Sequence, residues 1–240
     1  MALAIDTLRQ INAITELLIE TGLCVEQNFP SSAQRSSRTG AITEVTIPGM
    51  AQASIALKGY DYEQTYETLR RNRAFNLRLV DGALVQFSYQ FNKENLVKHI
   101  LGFYPSPGLP SYDDYAVLYE NEGLYADLVD RSIVKAPVRF DYDPSSANDV
   151  VHPASHFTIG QYANCRIPTV GALTPHRFIQ FVLSAFYSKT ARDMNIEIGK
   201  RPTDFPATIT LEEQDHVHIH FVAQVKRPQS KKRSTKRKQS

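Results

Sequence analysis

The sequence has few cysteines and no long apolar run. No stretch reaches the roughly 18 consecutive apolar residues that a membrane-spanning helix requires. Near the N-terminus the apolar residues are interrupted by Asp6, Glu16 and Glu20, so we expect no signal peptide. The only cysteines, Cys24 and Cys165, are far apart and in no metal-binding spacing, which fits a reducing compartment. We therefore expect a cytoplasmic protein with no membrane partner.

Motifs of several common enzyme classes are also missing. The sequence contains no Walker-type phosphate loop, no glycine-rich dinucleotide turn, no nucleophile elbow and no zinc-finger spacing. These absences exclude many classes of enzyme. They do not exclude nucleases, whose active-site residues are often sparse in sequence.

Positive charge is concentrated at the end of the chain. Residues 226–240 contain no acidic residue and eight basic ones, namely Lys226, Arg227, Lys231, Lys232, Arg233, Lys236, Arg237 and Lys238. Without these eight charges, the net charge of +2 becomes −6 for residues 1–225. A segment this polar cannot bury enough apolar surface to offset the conformational entropy that it would lose on becoming ordered. We expect one folded domain over residues 1–225 and a disordered basic tail over 226–240.

The basic tail suggests a nucleic-acid partner. Basic arms commonly neutralise phosphates and release counterions, an effect that does not depend on base sequence. Two other interpretations stay open: the tail could only aid solubility, or it could be a targeting signal. The acidic body is expected to bind a protein partner.

Hydrophobic periodicity predicts a mixture of helices and antiparallel strands. Apolar residues at helical spacing indicate a helix over residues 4–26, and a polar loop is expected over 31–40. Alternating runs on either side of Asp81-Gly82 predict an antiparallel meander over 74–104. Thr174 and Pro175 are suited to begin a second helix near 174–188, with Phe178, Phe181, Val182 and Phe186 facing the core.

Further elements complete the predicted fold. Strands are expected over 138–143, 155–159 and 216–225, and residues 111–130 are expected to be partly helical. Antiparallel hairpins mixed with helices indicate an α+β fold, in which the meander and the further strands pack with the N-terminal helix and the second helix.

The first candidate site lies in the segment from His152 to Gly160. If residues 155–159 form a strand, His156 and Thr158 share one face. His156-Phe157-Thr158 matches one of the two His-x-Thr elements of two-histidine phosphoesterases, in which one histidine is the base, the other is the acid, and hydroxyl groups hold the phosphate. The chain lacks a second such element. A histidine and a threonine that cap a turn would give the same pattern.

The second candidate is a row of histidines at His216, His218 and His220. Strand alternation would place all three on one face, from which two imidazoles can reach one divalent metal ion such as zinc. The row contains no carboxylate or thiolate, so a solvent-facing strand face is the favoured alternative.

The third candidate is a strand that carries Arg139 and Asp141 on one face. Asp143 shares this face, and an arginine beside two carboxylates can bind phosphate, position a base, hold a metal or form a structural ion-pair network. If the predicted strands were neighbours in one sheet, the polar faces of all three candidates would form one cleft suited to phosphodiester hydrolysis, with Arg139, Asp141, His152, His156 and Thr158 beside the row His216, His218 and His220.

These motifs together resemble a known family. An Arg-x-Asp strand, a His-Pro-x-Ser-His-x-x-x-Gly motif at 152–160 and a Pro-x-x-Phe helix at 175–178 resemble an uncharacterised bacterial family, a domain of unknown function. The resemblance extends over most of residues 1–225, and its specific motifs lie between 138 and 187. It implies no established activity or catalytic residue. It implies an association with mobile parts of bacterial genomes and hence with antiviral defence.

The sequence thus leads to three functional hypotheses. The first is a nucleic-acid-associated accessory or effector protein of a bacterial defence or mobile-element system, which acts with a protein partner. The second is a histidine- or metal-dependent phosphodiesterase or nuclease. The third is a purely structural subunit.

Overall fold

The computed structural model describes residues 2–37, 40–48, 50, 60–108, 136–162, 164–199 and 202–221. Its helices are α1 (Ala2–Glu20), α2 (Tyr62–Arg71), α3 (Pro175–Phe186), α4 (Ser188–Asp193) and α5 (Leu211–Gln214). Its strands are β1 (Cys24–Gln27), β2 (Ser31–Ser37), β3 (Gly40–Thr46), β4 (Leu77–Leu79), β5 (Leu84–Asn92), β6 (Asn95–Tyr104), β7 (Val138–Tyr142), β8 (Ser155–Ile159) and β9 (Ile167–Pro168). The predicted helix over 111–130 and the basic tail lie outside the described residues.

All these strands join one antiparallel sheet. The order is β1-β4-β5-β6-β7-β8-β9, and the β2–β3 hairpin pairs through β3 with β5. Because β6 pairs along the whole length of β5, strands β3 and β4 share the opposite edge of β5. The meander over β4, β5 and β6, the strands β7 and β8, and the helices α1 and α3 confirm the predicted α+β fold.

The two faces of the sheet differ in character. One face carries apolar side chains that α1 and α3 cover, including Phe87, Leu101, Phe103, Phe140 and Phe157. On the opposite face, α2 packs at one end in a second, smaller core of Tyr66, Leu69, Ala74, Phe75, Leu84 and Tyr104. The remainder of this face is polar and lines a cavity.

The N-terminal helix is present but shorter than predicted, and the predicted polar loop is a hairpin instead. The helix predicted over 4–26 ends at Glu20, and residues 24–27 form β1, which pairs with β4. The predicted loop over 31–40 is the β2–β3 hairpin. Every side chain of β2 is exposed, so the strand is held by backbone pairing and its sequence lacks the alternation that predicts strands.

The second predicted helix is present as α3, with Thr174 as its N-cap accepting a hydrogen bond from the Arg177 N–H. Phe178 and Val182 are fully buried, as predicted. The buried stripe also includes Ile179 and Leu183, whereas Phe181 and Phe186 are only partly buried at its margin. The core face is therefore turned slightly from the predicted one.

Candidate active site

The register of β7 and β8 brings the predicted residues together. Asp141 is paired with His156, and Arg139 is paired with Thr158. Because alternate residues of a strand share a face, these four side chains form two rows on the polar face of the sheet. The alternation in the two segments predicted this arrangement, and the pairing of β7 with β8 supplies the adjacency that the sequence left as an assumption.

These residues line a cavity of about 900 Å³. Arg139, Asp141, His152, His156 and Thr158 all contribute to its walls, so the structure brings these five residues together. A volume of this size is within the range of pockets that hold small ligands, roughly 300–1,000 Å³. Whether these residues are catalytic stays a prediction.

Asp141 links the arginine to the histidine. Arg139 donates a hydrogen bond from Nη2 to Oδ2 of Asp141 at 2.5 Å, and the same oxygen lies 3.8 Å from Nε2 of His156. The side chain of Arg139 is 45% exposed, whereas that of Asp141 is only 12% exposed. A guanidinium has five N–H donors, so Arg139 keeps donors for an anion in the pocket while it holds the carboxylate in place.

The protonation of His156 is determined by its backbone contact. Its Nδ1 lies 2.9 Å from the carbonyl oxygen of Pro153, which can only accept, so Nδ1 carries the proton. In the neutral ring, Nε2 then has the free electron pair on the side of Asp141. Burial lowers the pKa of His156 below its usual value, although the Pro153 carbonyl and the Asp141 carboxylate oppose that shift. The imidazole is therefore neutral at pH 7 and suited to accept a proton.

His152 lies against His156. The two ring centroids are 5.0 Å apart and the rings are nearly perpendicular. The Nδ1 atom of His152 is buried and has no hydrogen-bond partner among the described residues. Unlike His156, this ring is not fixed by a contact to the backbone.

Tyr104 and Gly102 shape the wall of the pocket beside Arg139. Gly102 is paired with Arg139 across β6 and β7. A Cβ atom added at Gly102 would overlap the aromatic ring of Tyr104. The absence of a side chain at Gly102 thus allows this ring to lie across the strand.

Other pocket residues were not identified from the sequence. Lys98 forms an ion pair with Asp143 at 2.9 Å on the wall, and Arg166, Tyr60 and Tyr162 also line the cavity. The Lys98–Asp143 contact depends on the pairing of β6 with β7. Along β6, Lys98, Gly102 and Tyr104 are separated by even numbers of residues, so they share one face of the strand. Nothing in the local sequence indicated that β6 pairs with β7.

The strand predicted over 216–225 is wrong for residues 216–221. These residues follow α5 and make a single bridge between Ile219 and Thr169. Val217, which strand alternation would place on the face opposite the histidines, is 85% exposed, and Nδ1 of His218 contacts the carbonyl oxygen of His216. None of His216, His218 and His220 lines the cavity.

The metal hypothesis for this histidine row has no geometric support. Within the part of the chain that the structure describes, no group of three or more histidine, cysteine, aspartate or glutamate residues is placed to hold a metal ion.

Comparison of the sequence with protein families identifies one match. The family DUF2290, described as an uncharacterized conserved protein, matches residues 23–221. The chain belongs to the DUF2290 family. The match includes every strand of the sheet described above and all the predicted pocket residues, so the pocket is part of the DUF2290 region. Comparisons with curated proteins and with solved structures gave no match.

The basic residues predicted to bind nucleic acid lie outside the described residues and also outside the DUF2290 match. In the described part of the chain, no helix is both long enough and apolar enough to span a membrane.

Proposed function

We propose that this DUF2290 protein binds a phosphodiester of nucleic acid in the pocket and hydrolyses it by histidine acid–base chemistry. The observation that carries the proposal is the cluster of Arg139, Asp141 and His156, in which one carboxylate oxygen contacts a partly exposed guanidinium and faces a histidine nitrogen. The pocket places Arg139, which can bind an anion, near His156, whose neutral ring can accept a proton. Acid–base catalysis of phosphoryl transfer uses these two functions together.

The reaction would proceed in one displacement. Nε2 of His156 takes a proton from a water molecule while the water oxygen forms a bond to phosphorus. The bond between phosphorus and the leaving oxygen breaks, and that oxygen receives a proton from the protonated form of His152. Arg139 and the Thr158 hydroxyl hold the non-bridging oxygens. The imidazolium formed at His156 is stabilised by the nearby carboxylate of Asp141.

Cleavage of labelled single-stranded RNA and DNA by the full chain tests this proposal. We expect the wild-type protein to cleave, and His156→Gln and His152→Gln to lower the rate by roughly 100-fold or more, the usual contribution of general acid–base groups. His216→Gln is the matched control, because His216 is exposed and does not line the pocket. If the wild-type protein does not cleave, or if His156→Gln cleaves at the wild-type rate, the proposal is wrong.

A second candidate is an accessory protein that binds nucleic acid without cleaving it. The eight basic residues of the tail favour this hypothesis. The resemblance to an uncharacterised family associated with mobile parts of bacterial genomes supports a role in defence. The acidic body over residues 1–225 would bind the protein partner. If the tail engages about five to eight phosphates, the slope of log K against log salt is expected to be roughly −4 to −7. Removal of residues 226–240 should flatten that slope on duplex and single strands alike. Equal slopes for the full and truncated chains would contradict binding by the tail.

A further inference from the structure

Two exposed tyrosines lie at the cavity. Tyr60, just before α2, is 51% exposed, and Tyr162, just after β8, is 77% exposed, yet both line the same cavity as Arg139 and His156. A tyrosine ring gains stability from burial, so two rings left open to solvent beside a polar pocket are candidates for contact with a ligand.

The two tyrosines are held in place by their neighbours. The ring of Tyr162 lies over Gly160, where a side chain would meet it at 3.3 Å, and Gly160 has a φ of +66° that favours glycine. Gln161, which lies between Gly160 and Tyr162 in the sequence, donates hydrogen bonds from Nε2 to the Tyr60 carbonyl oxygen at 3.1 Å and to the Thr65 hydroxyl at 3.2 Å. The turn after β8 is therefore tied to the start of α2, which brings the backbones of the two aromatic residues together.

The chemistry of the cavity combines aromatic and cationic groups. Lys98, Arg139 and Arg166 place positive charge on the walls, and Tyr60 and Tyr162 add aromatic surface. Three carboxylates also line the cavity: Asp141 and Asp143 are paired with Arg139 and Lys98, and Asp61 is the N-cap of α2. Proteins that bind single-stranded nucleic acid combine these two features, since cations contact the phosphates and the bases stack on aromatic rings. A base inside a duplex is stacked on both faces by its neighbours and cannot reach such a ring without being extruded.

We propose that Tyr60 and Tyr162 form a base-binding subsite, and that the substrate of the pocket is a single strand with an unpaired base next to the bound phosphate. This inference rests on the proposed phosphodiester site and specifies its substrate class. Stacking on an aromatic residue contributes roughly 1–3 kcal/mol per base, which corresponds to about 5- to 100-fold in affinity.

A fluorescent tetranucleotide tests the subsite directly. The probe is tetrathymidylate with one base replaced by 2-aminopurine, whose emission is quenched on stacking, so the signal reports base contact and not phosphate binding by the tail. The full-length wild-type protein should quench the probe saturably. Tyr162→Ala should abolish most of the quenching, Tyr162→Phe should retain it, and Phe29→Ala should have no effect because Phe29 is 47% exposed and does not line the cavity.

Competition for the bound probe then defines the substrate class. We expect unlabelled tetrathymidylate to compete about 5- to 100-fold better than an abasic tetramer or a short duplex. Equal competition by all three, or equal quenching by wild type and Tyr162→Ala, would overturn the subsite. Base-dependent quenching without cleavage supports the subsite while the hydrolysis proposal fails. Equal cleavage of abasic, duplex and single strands supports hydrolysis while the subsite fails.

Discussion

The Nε2 atom of His156 lies 3.8 Å from the Oδ2 atom of Asp141, across the paired strands β8 and β7. The opposite nitrogen of the ring donates to the Pro153 carbonyl, so the nitrogen that faces the carboxylate is the one that can accept a proton. Burial disfavours the imidazolium, whereas the carboxylate favours it. The relationship between these two residues therefore controls the pH at which the proposed base loses its activity.

Replacement of Asp141 by asparagine should shift the pH–rate profile. The pKa of His156 is lowered chiefly by burial and is partly restored by the carboxylate, so the wild-type kcat/KM should fall on the acidic side with an apparent pKa below about 6.5. Removing the negative charge lowers the pKa of His156 further, and the acidic limb of Asp141→Asn should move to lower pH. Asp6→Asn, on the exposed surface of α1, is the control. An upward shift in Asp141→Asn would contradict the assignment of His156 as the base.

Arg139→Lys should weaken phosphodiester binding although the charge is kept. Lysine cannot hold Asp141 and present a planar pair of N–H donors to a phosphate at the same time. Hydrogen bonds to charged groups contribute roughly 1.5–3 kcal/mol, or about 10- to 100-fold in affinity. The dissociation constant for thymidylyl-thymidine is measured in a His156→Gln background, where turnover is expected to be at least about 100-fold slower.

Arg35→Lys is the matched control for the arginine variant, because Arg35 forms an exposed ion pair with Glu44 at 2.9 Å and does not line the pocket. Unchanged binding by Arg139→Lys, or an equal loss in Arg35→Lys, would show that the guanidinium of Arg139 does not bind the phosphate.

Gly102→Ala should distort the pocket wall. The added methyl group would overlap the Tyr104 ring, and overpacking of this kind costs typically 1–3 kcal/mol in the free energy of unfolding. Gly108→Ala is the control, since a Cβ atom at that position has nothing within 4 Å. Urea unfolding of the two variants measures the difference. If both are as stable as the wild type, then the Tyr104 ring moves aside without cost and is not a fixed part of the wall.

His99 should make the fold sensitive to acid. It is buried in the core, and its Nε2 accepts a hydrogen bond from the Leu173 N–H at 3.1 Å, which requires the neutral ring. Burial lowers its pKa to about 4, against 6.5 unperturbed. Its contribution to stability is therefore complete above pH 6.5 and is lost as the pH falls toward 4, because the unfolded chain binds the extra proton. The loss is on the order of 3 kcal/mol.

Urea unfolding between pH 7 and pH 4.5 tests this statement. His99→Gln is expected to be less stable at pH 7, because the Leu173 N–H loses its acceptor, and to show a flatter dependence of stability on pH. His218→Gln, on the surface segment after α5, should keep the wild-type slope. The same slope in wild type and His99→Gln would show that another group causes the loss of stability in acid.

The part of the site that could be predicted from the sequence is the part encoded by alternation within a strand. The faces of β7 and β8 placed Arg139 with Asp141 and His156 with Thr158, and the structure adds that the two strands are neighbours. The same reasoning failed at 216–221, because a polar-apolar alternation gives no information on whether a segment finds a pairing partner. Only one bridge forms there.

Helix α2 and the aromatic residues at the pocket could not be recognised locally. Only three residues of α2 are buried, namely Thr65, Tyr66 and Leu69, so its apolar stripe is narrow. The N-cap Asp61, which accepts from the Gln64 N–H, was the available signal. Tyr60 and Tyr162 are 102 positions apart, and the long-range hydrogen bonds of Gln161 join their two segments.

Hydrolysis of bis(p-nitrophenyl) phosphate by the full chain is the most direct measurement of the central claim, that the pocket binds and cleaves a phosphodiester with His156 as base. The proteins compared all keep Tyr60, Tyr162 and the basic tail, so a difference in rate between them is not caused by the tyrosine subsite or by the tail. We predict release of p-nitrophenolate above the buffer rate by wild type and by His216→Gln, and a rate at least about 100-fold lower for His156→Gln. No release by the wild-type protein, or the same rate for His156→Gln, would contradict the account.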